Sequence, residues 1–139
     1  SRTSRNVDVW WGGLKGNGGL MMVLAYMMQN SPHWQDVKVT IKMVVTSDKA
    51  AIEAEKNLDN LLSSIRVSFG RKILVGKRED FFSLLTADSQ NADLVMLGLK
   101  SPDSEFAKYF NDLKAKTASI PRRLFVMASH DIAFKEILK

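Results

Sequence analysis

The chain contains no cysteine. That excludes a disulfide framework, a thiolate nucleophile, a cysteine-held iron–sulfur cluster and a cysteine-based zinc site, and it is compatible with a reducing compartment. Histidine is almost as scarce. His33 and His130 each stand without a second histidine in a local metal motif, which excludes a histidine-rich centre while leaving mixed oxygen ligands open. Ser129-His130-Asp131 contains the residue types of a hydrolytic triad, but adjacency in sequence is not catalytic geometry, and no G-x-S-x-G turn presents a serine. The segment reads as a helix cap and surface. No apolar run approaches the ~20 residues needed to cross a bilayer. The longest, Leu20 to Met28, is interrupted by Tyr26. No signal-peptide order opens the chain, so the expectation is a soluble domain.

What is present is ordinary globular composition: 45% hydrophobic and 25% charged in 139 residues. A chain of this size buries about two-thirds of its unfolded surface around one core, so residues 1–139 are expected to form a single domain. The net charge is +5, a long-range attraction for anions. It is spread among fifteen acidic residues without an RGG, KH, finger or RRM signature, so no nucleic-acid partner is expected. The densest basic region, Arg66, Arg71, Lys72, Lys77 and Arg78, has two readings, a solvated face or an anion-contacting patch, and the solvated face is favoured.

Hydrophobic patterning gives the order of elements. Val7 to Trp11 is β-branched and aromatic and ends at Gly12-Gly13, a first strand; a glycine-rich loop to Gly19 precedes a helix over Leu20 to Gln29. Met21, Leu24, Ala25 and Met28 share one stripe of that helix, and Asn17 or a glycine beside it starts it. Val37, Val39, Ile41 and Met43 alternate with Lys38, Thr40 and Lys42 in a second strand, Val37 to Val45, one face of which is less buried at its beginning. Thr46-Ser47-Asp48 offers caps for a helix over Lys49 to Ile65. A third strand (Lys72 to Val75), a short helix (Asp80 to Ala87) and an apolar fourth strand (Leu94 to Leu97) follow. Then come a helix over Glu105 to Lys116 with Ser104 as its cap, a fifth strand (Leu124 to Met127) and a final helix through Leu138. Repeated β-α units predict an α/β, Rossmann-like, five-stranded, mostly parallel sheet with helices on both faces, in the order 3-2-1-4-5.

That order reverses between the first and fourth strands, so a small-molecule site would lie at the loops Gly12 to Gly19 and Leu99 to Ser104. The glycines there fit neither G-x-G-x-x-G nor the Walker spacing, and Asp48, where a ribose-binding acid can stand, lacks that partner loop. The loop therefore reads as a turn into the helix. Asp8, inside the first strand, reads as a hydrogen-bonded structural carboxylate rather than a general acid or base, and Asp93 as a solvent-facing or loop-capping residue. Trp10, Trp11 and Trp34 are either core or a partner surface. Because Met21, Met22, Met27 and Met28 cannot all point inward, Met22 and Met27 mark a candidate oligomeric or interdomain face. No catalytic, metal-binding or cofactor-binding residue is assigned, no cofactor is expected, and the chain is expected not to be an enzyme.

The sequence resembles the cytoplasmic C-terminal region of cation–chloride cotransporters, both sodium–potassium–chloride and potassium–chloride branches and their prokaryotic relatives. Asn6-Val7-Asp8-Val9-Trp10-Trp11-Gly12-Gly13-Leu14 with Asn17-Gly18-Gly19-Leu20-Met21 looks like the family's I/V-D-V-W-W and G-G-L segment. Trp34-Gln35-Asp36-Val37-Lys38-Val39 resembles its W-x-D-x-K/R-I/V strand entry. Ala92-Asp93-Leu94-Val95-Met96-Leu97-Gly98-Leu99 and Pro121-Arg122-Arg123-Leu124-Phe125-Val126 resemble its late strands. The resemblance implies a universal-stress-protein-like fold and a role in transporter dimerisation and regulation at the cytoplasmic face of the membrane. It places the ion pathway in a membrane domain outside this chain. The implied partners are a second copy, the membrane domain and neighbouring cytoplasmic segments. No phosphosite transfers. The alternative is a universal-stress-like nucleotide sensor, whose glycine–serine signature is not reproduced after Gly98-Leu99-Lys100-Ser101.

Overall fold

The computed structural model describes residues 5–11, 17–34, 36–65, 68–98 and 104–126. Among them are the strands β1 (Arg5–Trp10), β2 (Val37–Val45), β3 (Gly70–Val75), β4 (Leu94–Gly98) and β5 (Arg123–Val126). The helices are α1 (Asn17–Gln29), α2 (Asp48–Ile65), α3 (Phe81–Asp88) and α4 (Phe106–Lys116), with 3-10 turns at Pro32–Trp34 and Arg78–Asp80. The strands form one five-stranded sheet in the order β3-β2-β1-β4-β5, parallel throughout. This is the topology the β-α repeats predict. Element ends differ from the periodicity by a residue or two, as terminal turns do: Trp11 lies just beyond β1, and β5 begins at Arg123. The glycine loop before Asn17, residues 99–103, Met127 and the final helix lie outside the described residues.

Side chains alternate across each strand, so the register sorts them into two cores. Val7 and Val9 of β1, Val39 and Ile41 of β2, and Met96 of β4 point to the face where Met21, Met22 and Ala25 of α1 and Leu58 and Leu62 of α2 pack. Trp10, Val95 and Leu97 point to the other face, against Leu85 of α3 and Ile120. On that second face Phe110 of α4 meets the Phe125 ring edge-on at 5.3 Å. Each crossover therefore buries a stripe, and the central strand β1 is buried from Val7 to Trp10.

The α1 stripe packs as its spacing predicts, but two expectations are corrected. Met22 is fully buried, so it belongs to the core and not to an outer face; Met27 is 61% exposed. Ser104 does not cap α4: the N-cap is Glu105, without a side-chain cap hydrogen bond. At α2 the expected cap forms, Ser47 Oγ accepting from the Ala50 N–H at 3.0 Å. Entry into β2 passes through Asp36, whose φ of 60° lies in the left-handed region that a short polar side chain tolerates better than a branched one.

Candidate functional site

Two features stand out, the first of them on the face covered by α3. The first is a set of charges inside the sheet. In the register Trp10 lies beside Lys42 and Lys42 beside Lys72, so these three share a face, with Asp8 two residues before Trp10 on the same side. The end of α3 brings Asp88 and Ser89 over them. Lys42 Nζ stands 2.8 Å from Asp8 Oδ2 and 2.6 Å from Asp88 Oδ2, and it donates to the Asp88 main-chain carbonyl at 3.1 Å. Ser89 Oγ–H donates to Asp8 Oδ2 at 2.6 Å and in turn accepts the Trp10 indole N–H at 2.8 Å. Lys72 pairs with the other oxygen of Asp88. Asp88 Oδ2, 2.6 Å from Lys42 Nζ, accepts no well-aligned hydrogen bond.

Electrostatics follow from this packing. Burial by itself would lower the pKa of Lys42, but the contacts with Asp8 and Asp88 outweigh it and hold the ammonium above its ordinary value. Burial would likewise raise Asp88, and Lys42 and Lys72 together pull it below the ordinary carboxylate value. Two carboxylates and two ammoniums leave the cluster neutral, and Asp8, Lys42 and Ser89 are all buried. Such an arrangement fastens α3 to β1, β2 and β3. Asp8 is thus a buried carboxylate held by a hydrogen bond and an ion pair.

The second feature is a cavity of about 610 Å³ at the carboxyl ends of the strands. Trp10 closes β1, Val44 and Val45 end β2, Gly76 follows β3, and Leu97 and Gly98 end β4; all line it. Phe81 and Phe82 at the start of α3 and Tyr109 and Leu113 of α4 form its wall, with Arg78 at the rim. This is the edge where open α/β sheets take ligands, and where the predicted strand order would put any small-molecule site. Of the two loops that order points to, Gly12 to Gly19 and Leu99 to Ser104, residues 12–16 and 99–103 lie outside the described residues.

The other sequence candidates disperse. Asp48 is exposed in the first turn of α2 and does not line the cavity. His33 is exposed in its 3-10 turn, and His130, Ser129 and Asp131 lie outside the described residues, as does Arg66. Among the described residues no three histidine, aspartate or glutamate side chains are grouped to hold a metal ion. Asp93 does not face solvent: it is 8% exposed, and its carboxylate accepts the Asn6 N–H at 2.6 Å, tying the start of β1 to the entry of β4. In the basic region Arg71 pairs with Glu55 and Asp59 of α2 and Lys72 with Asp88, while Lys77 and Arg78 are exposed. Trp10 is core and Trp11 half-buried.

A family model described as solute carrier family 12 matches residues 1–80, more than half of the chain. The chain belongs to solute carrier family 12, the cation–chloride cotransporters. The match runs from β1 through the 3-10 turn before α3 and so covers Asp8, Trp10, Lys42 and Lys72 of the charge cluster and Arg78 at the cavity rim. Membership of this family puts the α/β sheet in the setting of a membrane transporter. Among the described residues no helix is long and apolar enough to cross a membrane.

Proposed function

We propose that the chain is the cytosolic regulatory or assembly domain of a cation–chloride cotransporter, one α/β unit of a larger protein, neither an enzyme nor the ion pathway. The carrying observation is that a member of a membrane-transporter family folds here as a doubly wound sheet whose helices turn charged residues outward. Glu53, Glu55, Lys56 and Asp59 of α2 and Lys108, Asp112, Lys114 and Lys116 of α4 are all exposed, the pattern of helices facing water rather than lipid. The domain acts through contacts, with a second copy, a neighbouring cytoplasmic segment or the membrane region. Such contacts bias transport only where they differ between transport states. The test is excision of residues 5–126 from the full-length transporter. The expected result is a changed dimer fraction or maximal flux with an intact membrane part. Unchanged assembly and unchanged flux would reject the reading.

A further inference from the structure

We propose that the cavity at the carboxyl edge of the sheet is a binding site for a small organic monoanion with a flat apolar body. Three observations converge on it. The volume, about 610 Å³, is that of a small-molecule pocket, within the usual ~300–1,000 Å³. Its wall is a run of aromatic rings: Trp10 meets Phe81 edge-on with centroids 6.1 Å apart, and Phe81 meets Phe82 at 5.0 Å. Phe81 and Phe82 remain half-buried, where a ring packed in a closed core would be covered. Rings held at fixed angles along the cavity wall present a surface on which a planar group gains both area and favourable edge or face contact.

Polarity fixes the class of ligand. Arg78 at the rim is exposed and forms no ion pair among the described residues, whereas Arg71, Lys72 and Lys42 are all committed to carboxylates. A guanidinium beside an apolar wall suits one carboxylate or sulfonate, which it can grip through two parallel N–H donors. Among the described residues no acidic side chain lines the cavity. With a single described cation at the rim, a polyphosphate is poorly matched, so the ligand is a monoanion and not a nucleoside triphosphate.

The probe is 8-anilinonaphthalene-1-sulfonate, a monoanion with an apolar aromatic body, titrated into the full 139-residue chain carrying methyl-labelled methionine. Saturable binding should move the methyl signal of Met21, which lines the cavity, and leave that of Met27, exposed on the far side of α1, unmoved. Arg78→Gln should weaken binding about tenfold, the scale of one charge-assisted pair. Ala50→Phe, which adds a ring to the cavity lining, should abolish it. ATP should not compete. The proposal is overturned by lack of saturation, by Met27 moving with Met21, by Arg78→Gln binding within twofold of the parent, or by ATP displacing the probe. These readouts need no transport, so their failure leaves the transporter reading standing, and the reverse holds too.

Discussion

Lys42 lies nearly cut off from water between Asp8 and Asp88, with 9% of its side chain exposed, while Lys72 reaches the same aspartate from a half-exposed position at 51%. The two amines should therefore differ sharply on removal. Lys42→Met leaves two carboxylates facing each other without their shared cation and should cost about 3–5 kcal/mol, the scale for breaking a buried pair from one side. Lys72→Met should cost about 0–1 kcal/mol, as solvent-screened pairs do. Urea denaturation midpoints at neutral pH measure both, and equal losses would contradict the assigned roles. The cluster also sets a pH dependence. Asp88 is held below its ordinary value of 3.8, so its contribution is present above that value and is lost as pH falls through the folded pKa. Lys42 is held above 10.5, so its contribution is complete below that value and is lost as pH rises through the folded pKa. Thermal midpoints should be flat with respect to these two groups between the limits and fall at each end. Asp88→Asn should flatten the acid limb, and an acid limb as steep as the parent's would count against Asp88 as its source.

At the scale of elements, the helix ends separate two serines that look alike in sequence. Ser47 Oγ caps α2, and Ser47→Ala should cost about 1 kcal/mol. Ser104 precedes an α4 whose N-cap has no side-chain cap bond, and Ser104→Ala should change stability by less than about 0.5 kcal/mol. Guanidinium unfolding of both variants checks the pair, and a larger loss at Ser104 would reverse the assignment. The strands and helices themselves were legible because two periods, near 2 and near 3.6, are written into the apolar residues. Lys42 was not. It alternates with Ile41 and Met43 as a solvated residue would, and Lys38 on the same face is indeed exposed. What covers Lys42 is Asp88, forty-six residues away in sequence, and no local pattern carries that contact. Asp8 inside an apolar strand was the one visible sign, since a buried carboxylate requires a partner. A single amphipathic stripe on α1 leaves Met22 outside, whereas the fold buries the adjacent Met21 and Met22 together in one core.

At the scale of the molecule, the doubly wound class followed from the β-α repeats and the handedness of crossovers, the strand order was taken from that class, and the carboxyl edge followed from the order. The aromatic wall did not. Phe81 and Phe82 read as helix residues, and only the packing of α3 beside Trp10 turns them toward a cavity. The same sheet supports the central claim, that this domain influences a cation–chloride cotransporter without forming its ion pathway. The direct measurement exchanges residues 5–126 between two full-length cotransporters of different cation selectivity and records cation-dependent chloride flux. The account predicts that selectivity stays with the membrane part while maximal rate or assembly changes. Selectivity that travels with the exchanged domain would contradict it.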